Sequence, residues 1–313
     1  MRNVISVEGT YLKGRYKGVM LIATAQDGNH HQYPIAWAVV DSESEESWTW
    51  FFEKLHELIP DDDELIFISN RHKGIISGVA SVYKKAQYGH CLWHLGQNIK
   101  TKLKSKAGGV ALFMRTTKAY TQMEFDELYD EMNNSYPSIT KYLEDNIYRE
   151  KWARSYFHGS RYNIMTTNGS ESINAKLAQA RDLPIVAMLD AIQNLTSSWF
   201  NTHRIADVAS TGHLTPWAKR TVRSRFIESQ KMEVFQLNTF EYHVTGVGHD
   251  AVVGLNRRTC RCRVFDIDRL PCSHTITAAG QHNMNIYELC SHYYTTNVWT
   301  LAYTETVYPV PPL

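Results

Sequence analysis

Residues 4–40, VISVEGTYLKGRYKGVMLIATAQDGNHHQYPIAWAVV, hold three β-rich runs separated by two turn segments. Val4-Ile5-Ser6-Val7, Val19-Met20-Leu21-Ile22-Ala23 and Pro34-Ile35-Ala36-Trp37-Ala38-Val39-Val40 supply strand-forming side chains. Lys13-Gly14-Arg15 and Asp27-Gly28-Asn29 supply turn formers between them. Connections this short predict an antiparallel three-strand meander. Ser44 to Leu58 then places Trp48, Phe51, Phe52, Leu55 and Leu58 at helical spacing behind an opening of Ser and Glu. Leu65-Ile66-Phe67-Ile68 is a continuous apolar run of the kind buried in a parallel pair. A helix from Lys73 to Lys85 and a short strand from Tyr88 to Cys91 complete the order βββαβαβ. That order predicts an α/β fold: a mixed sheet with helices on its faces.

From about residue 92 to 165 the strand pattern stops. Met123, Phe125, Leu128 and Met132 follow a helical period, and Trp152, Tyr156 and Phe157 add aromatic bulk, so this stretch reads as an all-helical insertion. Two more helices are predicted from Ser170 to Arg181 and from Pro184 to Thr202. Strand-like alternation returns between Phe235 and Leu255 (Phe240, Tyr242, Val244) and leads into a cysteine cluster. The chain therefore divides into 1–95, a first part of the α/β core; 96–165, the insertion; 166–232, a return to the core; and 233–313, a cysteine-bearing module with a tail.

Composition narrows the function classes. The 313 residues carry 33 Lys and Arg against 32 Asp and Glu, a formal charge of +1, which excludes a strongly basic coat but leaves room for local basic faces. At 43% hydrophobic residues a long disordered chain is excluded. The longest apolar stretches, such as Val19 to Ala25 and Pro34 to Val40, are too short to span a membrane. The first residues carry Glu8 and no long apolar core, so no secretory leader is expected. Five cysteines, an odd number, point away from a disulfide framework.

Their spacing is more informative. Cys260-Arg-Cys262, nine residues, then Cys272-Ser-His274 forms C-x-C-x9-C-x-H. Three thiolates and one imidazole make a closed tetrahedral set, the make-up of a structural zinc site. Alternate strand residues point the same way, so C-x-C can direct both sulfurs to one side. With no coordination position left for water, the zinc (Zn²⁺) would be structural. The spacing, with Arg257-Arg258 before it and Leu270-Pro271 inside it, resembles the SWIM zinc finger, which implies a small ββα module for DNA or protein contact.

Among isolated acids, those at strand ends count most, because neighbouring strand ends converge on one crevice. Glu8 follows the first strand and precedes Gly9-Thr10; Asn70 holds the equivalent place after Leu65 to Ser69. A metal-dependent nuclease or transposase needs carboxylates there to hold divalent cations. Asp41 and the Asp61-Asp62-Asp63 run are weaker substitutes; the run precedes its strand and reads as a solvated loop.

Several ordered motifs then form one pattern. They are Glu8-Gly9-Thr10-Tyr11-Leu12, Tyr16-Lys17-Gly18, Leu21-Ile22-Ala23-Thr24, Glu46-Ser47-Trp48 and Ile68-Ser69-Asn70-Arg71-His72-Lys73-Gly74, followed by Cys91-Leu92-Trp93-His94-Leu95 and Met165-Thr166-Thr167-Asn168-Gly169-Ser170-Glu171-Ser172-Ile173-Asn174. From near residue 3 to the end, the chain resembles plant Mutator-like element (MULE) transposases. The resemblance implies an RNase H-like core interrupted by a helical insertion, a DDE triad using Mg²⁺ or Mn²⁺, DNA as partner, a homo-oligomer as one mode of assembly, and work in the nucleus. Position by position, the first two aspartates of that triad are Glu8 and Asn70 here, and the third acid is Glu171. Glu8 keeps the charge with one more methylene, whereas Asn70 replaces an anion by a neutral amide, so impaired strand transfer is expected. The alternative is a transposase-derived DNA-binding or regulatory protein without chemistry. Cys91 and His94, spaced C-x-x-H, match a motif near that family's active site; taken alone they read as a buried thiol and a core or surface histidine. His90 and His72 are the candidate partners for a second zinc, and Cys290 reads as core.

Two stretches are locally basic: Lys100, Lys102, Lys104 and Lys106, and the group Lys219, Arg220, Arg223, Arg225 and Lys231 after Trp217. On a helix Lys219 and Arg223 lie one turn apart, a face suited to phosphates, and equally an ordinary solvated face.

Overall fold

A computed structural model describes residues 1–104, 107–208, 212–246 and 248–308. The N-terminal meander forms in the expected order: β1 (Val4–Tyr11), β2 (Val19–Gln26) and β3 (Gln32–Val40) pair antiparallel. β1 runs past Val7, however, so Glu8, Gly9 and Thr10 do not follow the strand as an exit turn but lie within it, paired with Ile22, Leu21 and Met20 of β2. After α1 (Glu45–Leu58), β4 (Ile66–Ser69) joins the other edge of β1 in parallel; α2 (Lys73–Val82) then leads to β5 (Gln87–His90), parallel to β4. The sheet order is β3-β2-β1-β4-β5, so β1 is the central strand. The side chain of Ser44 caps α1 by accepting the Ser47 N–H, and Trp48, Phe51, Phe52 and Leu55 bury one face of that helix. With Ile75 and Val79 of α2 they cover Ile5, Val7, Leu21 and Phe67 on one side of the sheet.

α2 stops three residues before the expected Lys85. The amides of Lys84, Lys85 and Ala86 are instead held by the Asp61 carboxylate at 2.7, 2.9 and 3.0 Å. Asp61 is thus a turn clamp rather than a merely solvated loop acid.

The insertion is helical: α3 (Leu92–Lys102), α4 (Ala107–Thr117), α5 (Gln122–Ser135) and α6 (Pro137–Asn146). Leu95, Ile99, Phe113, Phe125, Met132, Ile139, Leu143 and Trp152 give it a core of its own. α7 (Asn168–Lys176) then returns to the sheet. The predicted helix to Arg181 breaks after Lys176, and a 3₁₀ turn covers Ala180–Asp182. α8 (Ile185–Val208) lies beside it; Ile173, Leu177, Met188 and Ile192 pack on Leu12, Met20 and Ile22, covering the sheet's second face.

α9 (Pro216–Ser229) precedes a second sheet of β6 (Glu233–Gln236), β7 (Glu241–Thr245), β8 (Ala251–Gly254) and β9 (Thr259–Cys260), antiparallel throughout. α10 (Val264–Asp268) and α11 (Ser273–Gln281) follow, and α12 (Thr296–Ala302) packs back near α8. The C-terminal module is therefore larger than the ββα unit expected. Tyr242, Val244 and Val253 need a partner layer, and Phe265, Ala278 and Ala279 of the two helices supply it. Among the described residues no helix is long and apolar enough to cross a membrane.

Candidate functional site

The parallel strands β4 and β5 end side by side at Ser69 and His90, while β1 between β4 and β2 runs on to Tyr11. In the register of β1 and β4 Ser6 lies beside Ile68, so two residues further on Glu8 stands level with Asn70. α7 brings Glu171 to the same place. It can lie flush on the sheet because Gly169 has no side chain: a Cβ there would meet Gln32 Oε1 at 1.8 Å. Ser170, the next residue, bonds Thr24 Oγ1 at 2.9 Å and donates to the Ser6 carbonyl at 3.3 Å. Cys91, at the end of β5, fixes the start of α7, its buried sulfur accepting from Thr167 N and Oγ1 at 3.2 and 3.3 Å. One turn along α3, His94 points Nε2 to within 3.9 Å of Glu171 Oε1. The C-x-x-H pair thus divides its work: the cysteine orders the helix that carries Glu171, and the histidine stands beside that carboxylate.

Glu8, His94 and Glu171 each offer one ligand atom within 4.8 Å of the others. Glu8 Oε2 is buried without a hydrogen-bond partner among the described atoms. Burial, reinforced by the Glu171 charge, pushes the Glu8 carboxyl up from 4.5 to about 7, while His94 pulls it down. Two crowded carboxylates, one orphaned oxygen and one imidazole fit a divalent cation. Asn70 does not contribute in the same way: its Oδ1 accepts the His72 N–H at 3.1 Å, closing a local turn.

Sequence reasoning missed Glu43. It reaches over Gly9, where a Cβ would be 2.8 Å from its Oε1, accepts from Trp48 Nε1 at 3.3 Å, and adds to the field on Glu8. It sits in the acidic run opening α1, where carboxylates ordinarily complement the helix terminus, and that hid it. His72 faces Glu43 at 3.7 Å. His90 is buried, with burial and then Arg71 pushing it down to about 3. Neither histidine joins a metal-ligating group among the described residues, so the second zinc site is not formed by them.

Cys260, Cys262, Cys272 and His274 form the other such group. Asp266 Oδ2 holds the Cys260 N–H at 3.0 Å, and Cys272 caps α11, which sets His274 in its first turn. His274 Nε2 donates to the His249 carbonyl at 2.8 Å, so Nδ1, buried and without a partner, keeps its lone pair for the cluster. The buried Cys272 sulfur accepts from the Thr275 N–H at 3.4 Å and lies 3.1 Å from Thr275 Oγ1, contacts that favour its thiolate. An orphaned imidazole nitrogen beside anion-stabilised sulfur fits a structural zinc.

Residues 4–98 match the MULE transposase domain and residues 242–283 match the SWIM zinc finger. The chain carries a MULE transposase domain and a SWIM zinc finger. Over 85 residues it is also 34% identical to the transposase for insertion sequence element IS256 in transposon Tn4001, from Staphylococcus aureus and from Enterococcus faecalis. That match takes in 27% of this chain and spans 21% of the length of those curated relatives. The MULE domain contains Glu8, Asn70, Cys91 and His94, with Glu171 supplied from outside the matched span; the SWIM finger contains all four cluster residues.

Cys290 is buried core as read, burial pushing its thiol up to about 12, and none of the five cysteines is paired. Lys219, Arg220 and Arg223 are exposed on α9. Arg225 is not available beside them. It is ion-paired with Asp268 and donates to the Leu270 and Pro271 carbonyls at 3.1 and 3.3 Å, strapping α9 to the zinc loop. Asp268 also accepts from Tyr120 at 3.2 Å, tying in the insertion. Lys100 and Lys102 are exposed at the end of α3 and Lys104 is exposed just beyond it; Lys106 falls outside the described residues.

Proposed function

We propose that this chain is the RNase H-like core of a MULE-type DNA transposase, with a zinc-stabilised SWIM finger, whose cleavage and strand-transfer chemistry is impaired. The strand order with β1 at its centre supports the core assignment. The observation that carries the impairment is Asn70, whose side-chain oxygen is spent on its own turn where the triad requires an anion. Glu8, Glu171 and His94 would hold a divalent cation, which when bound supplies Lewis acidity at a phosphodiester. Of the chain's own groups, Glu171 is oriented by α7 through Cys91 and Thr167, and His94 places Nε2 within 3.9 Å of Glu171 Oε1, where a shared cation would sit between them. Losing a first-contact anion costs at least the roughly 10–100-fold typical of outer-shell changes at metal sites.

The same observation favours a second reading, a transposase-derived DNA-binding protein without chemistry. One experiment decides between them: Mg²⁺- or Mn²⁺-dependent cleavage of terminal-repeat DNA by the unaltered chain and by the Glu8→Asp, Asn70→Asp double variant. Impaired chemistry predicts cleavage only by the variant; DNA binding without cleavage by either supports the regulatory reading. Efficient cleavage by the unaltered chain, abolished by Glu171→Ala, would sink the impairment.

A further inference from the structure

At the end of the sheet away from Glu8, the zinc finger and residues 157–160 enclose a cleft of about 300 Å³. Its lining includes Arg257, Arg258, Arg263, Arg269 and His158 against a single carboxylate, Asp266. One oxygen of that carboxylate is already engaged by the Cys260 N–H. All four arginines are exposed, and among the described residues only Arg263 has a carboxylate within reach, Asp266 at 3.9 Å. Glu64 and Glu288 line an adjoining cleft that Arg258 and Arg269 also border, but neither is ion-paired with a guanidinium among the described residues.

The backbone supplies an independent observation. Eight non-glycine residues among those described have positive φ, and three of them are Arg258, Arg263 and Arg269, at 52°, 63° and 56°. These are positions where glycine or asparagine is ordinarily favoured. Arginine recurs at all three, and all three border this one cleft. Residues held in a costly conformation at one place point to a use for their side chains. Arg269 Nε donates to Ser160 Oγ at 2.6 Å and Arg258 donates to the Glu288 carbonyl at 2.9 Å, so both guanidinium groups are positioned rather than loose.

We propose that this cleft binds backbone phosphates of nucleic acid, through Arg257, Arg258, Arg263 and Arg269. The inference rests on the DNA-handling reading above and adds a site which that reading does not require. Gly159 lies against Ile66 and Gln87, the first residues of β4 and β5, whereas Asn70 and Cys91 follow their last residues. At about 3.3 Å per strand residue, roughly 13 Å of β4 separates the cleft from the level of Asn70. Planar guanidinium forks recognise phosphate oxygens in pairs, and phosphates present the same oxygens whatever the sequence. Binding should therefore be backbone-directed and independent of sequence.

The test is the affinity of the full chain for a labelled DNA duplex across a salt series, by fluorescence anisotropy. The double variant Arg258→Asn, Arg263→Asn places a residue tolerant of positive φ at two of the positions. It is expected to keep its zinc and its melting temperature, to bind roughly tenfold or more weakly at 0.1 M salt, and to lower the log–log salt slope by about 2. Arg257 makes no side-chain hydrogen bond among the described residues, so Arg257→Glu is a second variant that leaves the fold alone and should weaken binding as well. Unchanged affinity and slope in both, with the unaltered chain binding, overturns the cleft and leaves the DNA-handling reading standing. Zinc loss from the variants with binding unchanged per folded molecule would assign the arginines to the zinc site instead. If the unaltered chain fails to bind duplex at low salt, both the cleft and that reading fall.

Discussion

Replacing Glu8 by glutamine probes the strand-end cluster through the pH dependence of stability. In the folded chain burial and the Glu171 charge raise the Glu8 carboxyl from 4.5 to about 7. Between those values the folded state keeps a proton that the unfolded state has released. Stability therefore falls as pH rises from about 4.5 and levels off above about 7. At about 1.4 kcal/mol per pH unit, this rise amounts to about 3.4 kcal/mol, of which about 2.5 kcal/mol is lost between pH 5 and pH 8. Glu8→Gln keeps the shape and removes the titration. In metal-free buffer, urea unfolding at pH 5 and pH 8 should show the unaltered chain losing about 2.5 kcal/mol more stability than the variant over that interval. Millimolar Mn²⁺ should restore stability at pH 8 to the unaltered chain alone, because a cation stabilises the ionised pair. Parallel pH dependence in the two proteins would refute the argument, since Glu8 would then have to be solvated or already compensated.

Two further outcomes are expected. The protein should contain about one zinc per chain, and Cys262→Ser should lose it together with the hydrogen-exchange protection of β6 to β9 and α11; a folded, metal-free protein would exclude a structural zinc. Asp27 is fully buried, accepting from Trp299 Nε1 at 2.7 Å and Tyr303 OH at 2.9 Å; burial raises its carboxyl, but bonds from His31 and Trp299 outweigh it and hold it below 3.8. Its contribution is present above pH 3.8 and lost as pH falls through the lower folded value. Asp27→Asn should cost about 3 kcal/mol, with α12 amides losing protection first; α12 exchanging as in the unaltered chain would exclude Asp27 as its anchor.

Much of the fold was legible because strands and helices write themselves locally. The β-rich run Val4-Ile5-Ser6-Val7 and the period of 3.6 in Trp48, Phe51, Phe52 and Leu55 each depend on a handful of adjacent residues; the helix forms where the pattern placed it, whereas the strand runs on to Tyr11 because β2 pairs with it that far. The C-x-C-x9-C-x-H spacing is local in the same sense. The four side chains converge because β9, a short helix and the cap of α11 turn the chain back within that span. Boundaries set by distant partners were less legible. α2 ends early because Asp61, on the far side of β4, takes the amides that follow it.

At the strand-end site, the residue types were evident and their roles were not. Glu8, Asn70, Cys91, His94 and Glu171 all sit in motifs that could be read along the chain. Which side chains meet depends on parallel register, on Gly169 letting α7 lie on the sheet, and on where Asn70 directs its amide. Arg225 illustrates the same limit, since one carboxylate in the zinc loop turns a candidate phosphate ligand into an internal strap. By itself the sequence determined the order of strands and helices in the N-terminal core, the spacing of the metal-ligating quartet, and the neutral amide Asn70 after the fourth strand. Only the tertiary structure decided that Glu8 and Glu171 share a site with His94, that Glu43 stands behind them, and that four arginines face one cleft. Periodicity and spacing are carried by neighbouring residues, whereas a site between distant elements is made by packing and register.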